Sequence, residues 1–140
     1  MGYESYERSH SVETPPSRSV LTLSADAAFR GDAQLSNPEQ LLLAAASSCQ
    51  LLSFLAVAAR ARIDVVAYDD EAEAVMPEDA TPLRITEIWL RPQIVVSPDA
   101  NIGRVERLVE LAHKECYIAN SLSAEVHLHA TIVAAEAATL

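Results

Sequence analysis

An uncharged run from Leu41 to Ala59 constrains the fold most, because it directly follows a strong helix-start signal. Asn37 is a favourable N-cap, and Pro38 suits the first helical position, where its missing N–H loses no intrahelical bond. Gln40 lies where its side-chain amide reaches back to the cap residue. The pattern predicts one long helix from about Pro38 to Arg62.

The same run is almost long enough to cross a bilayer, which takes about 20 apolar residues. It is rich in alanine, however, and four polar residues interrupt it: Ser47, Ser48, Gln50 and Ser53. A helix that is apolar nearly all round is also typical of the buried centre of a soluble protein. We therefore expect no membrane span. A small sheet can cover only one side of such a helix. A second copy of the chain is the simplest way to cover the opposite side, so the sequence predicts a homodimer.

Shorter patterns surround the long helix. Residues 1–18 are polar and resemble an arm or an edge hairpin. Alternating or apolar stretches predict strands at 19–23, 63–76, 83–96 and 124–134, with Pro92 marking a bulge or an edge. Asp99 is the expected cap of a second helix, whose apolar positions recur at helical spacing: Ile102, Val105, Val109, Ala112 and Cys116. The chain is thus predicted to be one α+β domain over residues 1–140.

The acidic composition limits the kinds of partner that the protein is expected to bind. The formal net charge of −10 and the pI of about 4.7 disfavour nucleic acid and anionic membrane surfaces. The N-terminus has no apolar signal core, and Tyr6 stands where a myristoylation signal needs Ser or Thr. Two cysteines without a signal peptide suggest a reducing compartment, where a disulfide is usually transient and catalytic. We expect a cytoplasmic protein.

Most familiar catalytic motifs are absent. With three glycines, no glycine-rich phosphate loop can form, and neither a bound cofactor nor a metal is predicted. His127 and His129 share one face of a strand and could begin a zinc site. No third ligand is suggested nearby, so ordinary strand histidines are favoured. His113, about one turn before Cys116, could assist a metal or a thiolate, although a surface helix histidine is the favoured interpretation.

The two cysteines are the remaining candidates. Either they are small, inert core residues, or they react, which requires a thiolate and therefore a lowered pKa. Cys49 lies about 18 Å beyond the start of its helix, where the helix dipole has faded. A reactive Cys49 therefore requires a nearby arginine, lysine or histidine.

Glu39 suggests how that cation is held. It lies about 15 Å from Cys49 along the helix axis, so the two side chains cannot touch on a straight helix. An arginine could pair with the carboxylate and point at the sulfur. Arg30 is the best candidate, and Arg18 is its rival.

Two segments carry a family resemblance: NPEQLLLAAASSC at residues 37–49 and AHKECYIANSLS at 112–123. They resemble the OsmC/Ohr family of organic-hydroperoxide-detoxifying proteins. The resemblance implies an OsmC-like fold, with an antiparallel sheet, a long central helix and a second helix, in an intertwined homodimer with sites at the subunit interface.

The resemblance also implies an activity, that of a thiol peroxidase. By position, Cys49 is its peroxidatic thiolate and Cys116 its resolving thiol, while Glu39 holds the activating Arg30. A dithiol, such as a dihydrolipoyl group, regenerates the enzyme. Apolar walls from Leu42, Leu52 and Phe54 are expected to favour an organic hydroperoxide over hydrogen peroxide. The alternatives are a non-catalytic dimeric binding module with the same fold, and a thiol redox sensor.

Overall fold

The structure, a computed structural model, describes residues 1–137, so the end of the predicted 1–140 domain lies outside the described residues. Backbone contacts group the chain into two compact units, one over residues 1–42 and one that begins at Leu43. In the first unit, strand β1 (His10–Glu13) pairs antiparallel with β2 (Val20–Leu23). A single 3₁₀ turn at Ala27–Phe29 follows.

Helix α1 spans Pro38–Arg60 and begins as the sequence predicts. The Gln40 N–H donates to Asn37 Oδ1 over 2.9 Å, and the Asn37 N–H donates to Gln40 Oε1 over 2.9 Å. This reciprocal pair satisfies two backbone donors that a bare helix end leaves without a partner. At the other end, Arg62 takes a left-handed backbone with φ 60, and the Ile63 N–H bonds back to Ala58 O, which closes the helix two residues earlier than predicted.

Each of the three long predicted strands is two shorter strands. They are β3 (Val65–Asp70) and β4 (Glu73–Val75), β5 (Glu87–Leu90) and β6 (Pro92–Val96), and β7 (Glu125–Leu128) and β8 (Thr131–Ala134). In every case the first and second halves enter different three-stranded sheets, ordered β3-β6-β8 and β4-β5-β7. A segment that bends from one sheet into another can cover two sides of the same core, whereas a single straight strand covers only one.

Helix α2 (Ile102–Glu115) is capped by Asn101, whose Oδ1 accepts the Arg104 N–H over 3.0 Å. The prediction of Asp99 as the cap is therefore wrong, because Asn101 offers the same chemistry two residues closer to the helix. The predicted buried stripe is confirmed at Val105, Val109, Ala112 and Cys116. A short helix α3 (Tyr117–Ser121), which the sequence did not predict, follows directly.

The main core lies where the second half of α1, strand β6 and helix α2 meet. Its buried members are Phe54, Val57, Ala58, Ile94, Val96, Val105, Val109 and Ala112. The α+β class with a long helix and a second helix is confirmed. The sheets are mixed rather than purely antiparallel, since β5 runs parallel to β7 and β6 runs parallel to β8.

Helix α1 is the one helix in the described part of the chain that is long and apolar enough to span a membrane. Core helices of soluble proteins have the same length and composition, and Phe54, Val57 and Ala58 of α1 do lie in the core. Only 28% of the apolar window of α1 is buried within one chain. Much of its apolar surface is therefore uncovered in the single chain.

Candidate active site

The structure brings Cys49 and Cys116 together as two free thiols. Cys49 is on α1, and Cys116 is the residue between α2 and α3. Two side chains of α1 tie it to carbonyl groups of α2. Ser53 Oγ donates to Ala112 O over 2.7 Å, and Gln50 Nε2 donates to Val109 O over 3.4 Å. These bonds fix the helix-to-helix register that sets one sulfur beside the other.

The environment of Cys49 favours its thiolate. Burial raises the pKa of Cys49, but three hydrogen bonds to the sulfur outweigh it and leave that pKa below its ordinary value. The donors are the backbone N–H of Ile118, the thiol of Cys116 and the backbone N–H of Tyr117. Hydrogen bonds to the charged form of a group favour that form. Among the described residues, the groups that lower this pKa all belong to the segment 116–118.

Cys116 is affected in the opposite direction. Burial raises its pKa, and donating to the neighbouring Cys49 sulfur raises it further, while the Ala119 N–H opposes the rise only partly. Burial and the charges of Asp70 and Cys116 raise the pKa of the Tyr68 phenol on β3. The site is therefore an unequal dithiol, in which the pKa of Cys49 is lowered and that of Cys116 is raised.

Cys49 opens onto a groove of about 520 Å³ that runs along one face of α1. Its lining residues are Cys49, Leu52, Ser53, Ala56, Arg60, Glu115, Tyr117 and Asn120. Leu52, a predicted apolar wall, is 64% exposed and available to a ligand in this groove. Phe54, another predicted wall, is fully buried in the core and does not line it, because it lies on the opposite face of the helix.

The predicted arginines have other surroundings. Arg30 Nη2 lies 3.3 Å from Glu4 Oε1, so the ion pair that the structure gives Arg30 is with Glu4 rather than with Glu39. Arg18 is exposed on the segment before β2. Glu39 lines a cavity of about 250 Å³ together with Arg8, an arginine that the sequence analysis did not consider.

Sequence reasoning missed the amide donors and Arg60. It assumed that a mid-helix thiolate needs a cation, whereas two N–H groups from the start of α3 act on the sulfur. No sequence motif predicts these two N–H donors, because the helix that presents them, α3, is only five residues long. The spacing along the helix could have identified Arg60. It lies eleven residues beyond Cys49, which is about three helical turns and places it about 20° from the same face of α1.

His113, the other candidate helper of a thiolate, lines a different cavity together with Lys114 and Ala119.

Known proteins resemble this chain in both sequence and fold. An OsmC-like protein of unknown function from Vibrio cholerae is 32% identical, with a TM-score of 0.83 over 90% of this chain and 86% of that one. An organic hydroperoxide resistance protein from Elizabethkingia anophelis is 20% identical, with a TM-score of 0.71 over 91% of this chain and 90% of that one, which shows a shared fold. The uncharacterised protein YmaD of Bacillus subtilis is 24% identical over 112 residues, 78% of this chain and 75% of its own length.

The sequence model of one family, described as OsmC-like protein, matches residues 31–131. This match spans both cysteines, helices α1 to α3 and strands β3 to β7. The resemblance found in the two cysteine segments is therefore confirmed over most of the chain, and the chain belongs to the OsmC-like protein family.

Proposed function

We propose that this protein is a cysteine-based thiol peroxidase that reduces organic hydroperoxides to alcohols, with Cys49 as the peroxidatic thiolate and Cys116 as the resolving thiol. The observation that carries the proposal is the unequal dithiol: the pKa of Cys49 is lowered and that of Cys116 is raised. Nucleophilic attack needs the thiolate form, whereas the resolving group only has to follow it. The family and the fold are consistent with this chemistry.

The proposed peroxidase reaction has three steps: oxidation of Cys49, formation of a disulfide and reduction of that disulfide. The Cys49 thiolate attacks the terminal oxygen of ROOH, the O–O bond breaks, and the alkoxide takes a proton to leave as ROH, with Cys49 as a sulfenic acid. The Cys116 sulfur then attacks the Cys49 sulfur, and water leaves with the formation of the Cys49–Cys116 disulfide. A small dithiol, such as a dihydrolipoyl group, reduces this disulfide and becomes a disulfide itself.

The groove supports an organic substrate rather than hydrogen peroxide. Leu52 and Ala56 offer apolar surface next to Cys49, and burial of apolar surface contributes roughly 25 cal/mol per Å². Hydrogen peroxide has no carbon to bury there. An alkyl hydroperoxide can place its chain along α1 while its terminal oxygen reaches the sulfur.

We propose that a second copy of the chain covers the apolar surface of α1 that a single chain leaves exposed. The apolar face of α1 that one chain leaves open includes Leu52, 64% exposed, and Leu55, 39% exposed, with four exposed alanines: Ala44, Ala45, Ala56 and Ala59. An extended apolar face of this kind is typical of an interface. The proposal is a cytoplasmic homodimer in which the partner subunit covers that face and forms the outer wall of the groove beside Cys49, so that the site lies at the subunit interface.

Peroxide turnover tests the activity. Cumene or tert-butyl hydroperoxide should be consumed continuously in the presence of dihydrolipoamide, and Cys49→Ser should reduce the rate to that of buffer. Cys116→Ser should leave a sulfenic acid on Cys49 that a dimedone probe labels, and it serves as the matched control for folding.

Two outcomes would contradict the peroxidase proposal. If the wild-type thiols are oxidised no faster than free cysteine, the non-catalytic binding module is favoured. If they are oxidised once without turnover, the thiol redox sensor is favoured.

The arginine is tested separately. Arg30 as the activating cation, with Glu39 holding it and Arg18 as its rival, stays a prediction. If a guanidinium stabilises the transition state, Arg30→Gln or Arg18→Gln should lower the rate constant for oxidation of Cys49. If the amides of 117 and 118 are sufficient, neither variant should change it.

A further inference from the structure

A second cluster of chemically active side chains lies on the β4-β5-β7 sheet. Glu87 of β5 stands opposite Glu125 of β7 in the parallel register, and His127 follows two positions later on the same face of β7. His127 Nε2 lies 3.4 Å from Glu87 Oε1 and 3.9 Å from Glu125 Oε2. The sequence-based expectation that no third ligand lies near His127 is therefore wrong, because the strand pairing supplies two carboxylates.

These distances suit a metal ion. One donor atom from each of Glu87, Glu125 and His127 lies within 4.8 Å of the other two. A tetrahedral Zn²⁺ with bonds of about 2.0–2.2 Å separates neighbouring ligand atoms by roughly 3.3–3.6 Å. The gap between His127 Nε2 and Glu87 Oε1 already falls in this range. Glu125 is 73% exposed in its side chain and can rotate to bring its carboxylate closer to the other two ligand atoms.

The imidazole nitrogen is the second, independent observation. His127 Nε2 has almost no solvent exposure, and none of its contacts in the described part of the chain, the two carboxylates included, has hydrogen-bond geometry. Buried polar atoms in folded proteins are normally satisfied, so this nitrogen has capacity for a further partner. A metal ion held between the nitrogen and the two carboxylates satisfies it without any change in the strands.

Charge leads to the same conclusion. Like charges at directly paired positions of neighbouring strands are destabilising, and Glu87 and Glu125 are such a pair. The chain has a formal net charge of −10, so this repulsion adds to an already negative molecule. A divalent cation bound between the two carboxylates cancels both charges.

Trp89 orients the imidazole ring. It pairs with His127 across the strands, and the two rings stack with centroids 4.1 Å apart and planes at 21°. The stack fixes the plane of the imidazole, and outer groups at metal sites orient a ligand in the same way. His129 stacks on the same indole at 5.4 Å, but it is not a member of the ligand set.

We propose that Glu87, Glu125 and His127 form a binding site for a divalent transition-metal ion of the Zn²⁺ type, with three protein ligands and one position open to water. Imidazole as a ligand favours such ions over Mg²⁺ and Ca²⁺, which prefer oxygen alone. The site is separate from the dithiol, and it does not depend on the peroxidase proposal.

The single tryptophan of the chain provides a direct readout. Ni²⁺ bound to His127 should quench Trp89 fluorescence in a saturable titration with one ion per chain, and excess Zn²⁺ should restore the emission. The titration is run on the wild-type protein and on a Cys49→Ser/Cys116→Ser background, because thiolates also bind these metals. Equal affinity in the two proteins is expected, and loss of the signal on the serine background would overturn the site.

Matched variants assign the ligands. Glu125→Gln and His127→Gln should each weaken the Ni²⁺ affinity by at least about tenfold. His129→Gln, which removes the other histidine on the same indole, should leave the affinity unchanged. The proposal fails if His127→Gln binds as well as wild type, if His129→Gln weakens binding equally, or if Mg²⁺ displaces Ni²⁺ at equal concentration.

Discussion

The Cys116 thiol donates a hydrogen bond to the Cys49 sulfur, and this contact adds to a difference between the two thiols. Burial is the main cause of the raised pKa of Cys116, and the contact raises that pKa further. Burial also raises the pKa of Cys49, but the N–H of Ile118, the Cys116 thiol and the N–H of Tyr117 together lower it. The thiolate form is therefore more accessible at Cys49 than at Cys116, which is the division that the proposed peroxidatic and resolving roles require.

Alkylation by iodoacetamide should distinguish the two thiols. The folded pKa of Cys49 is depressed, so its thiolate fraction rises with pH at a midpoint below that of an ordinary cysteine. Cys116 is buried with a raised pKa and should react more slowly across the same range. Mass spectrometry of each modified peptide as a function of pH measures both profiles. Identical midpoints would contradict the asymmetry.

Tyr117→Pro should raise the pKa of Cys49. Proline removes the N–H that Tyr117 directs at the sulfur, while it fits the first position of α3 and the extended backbone of Cys116 at ψ 114. The alkylation midpoint should shift upward only in part, since the Ile118 N–H and the Cys116 thiol still donate. Tyr117→Ala keeps the amide and removes the ring, so its midpoint should match that of wild type.

Leu55→Glu should separate the proposed dimer. It places a charge on the exposed apolar face of α1, where a covered interface would leave that charge without a partner. Sedimentation should show wild-type dimers and a variant shifted toward monomers. Leu83→Glu, at a similarly exposed leucine on the loop before β5, is the control and should remain dimeric.

Asn37→Ala should destabilise the fold by about 1 kcal/mol through loss of the α1 cap. The alanine cannot accept the Gln40 N–H, which leaves a donor at a nearly buried helix end without a partner. Urea unfolding followed by circular dichroism measures the change. Asn37→Ser retains a side-chain acceptor at the cap and should recover most of the stability.

Phe54→Ala should cost about 3–5 kcal/mol, because it removes a ring with 0% exposure from the main core. Leu83→Ala, at an exposed site, should change stability by no more than about 0.5 kcal/mol. The same urea titrations compare the two variants. A small effect at Phe54 would mean that the core is packed differently from the structure.

Local signals were sufficient for the existence of the two long helices, α1 and α2, but not for the short α3. The cap at Asn37 and the uncharged run fix α1, since capping and apolar periodicity act within a few residues of the chain. The α2 stripe, which ends at Cys116, follows from spacing alone. The strands were harder, because residues on either side of Arg91 form one apolar pattern, although they belong to two sheets. A bend between sheets depends on what packs against each half, and that information is not local.

By itself, the sequence determined the α+β class, the two long helices and the family, since these depend on periodicity, capping and a fixed motif. Only the tertiary structure decided what surrounds each sulfur. It showed that amides of the unpredicted α3 act on Cys49, that Arg30 pairs with Glu4, and that two glutamates face His127. Electrostatic environment depends on groups that are distant in the chain but only a few ångströms apart in space, so spacing along the sequence does not reveal it.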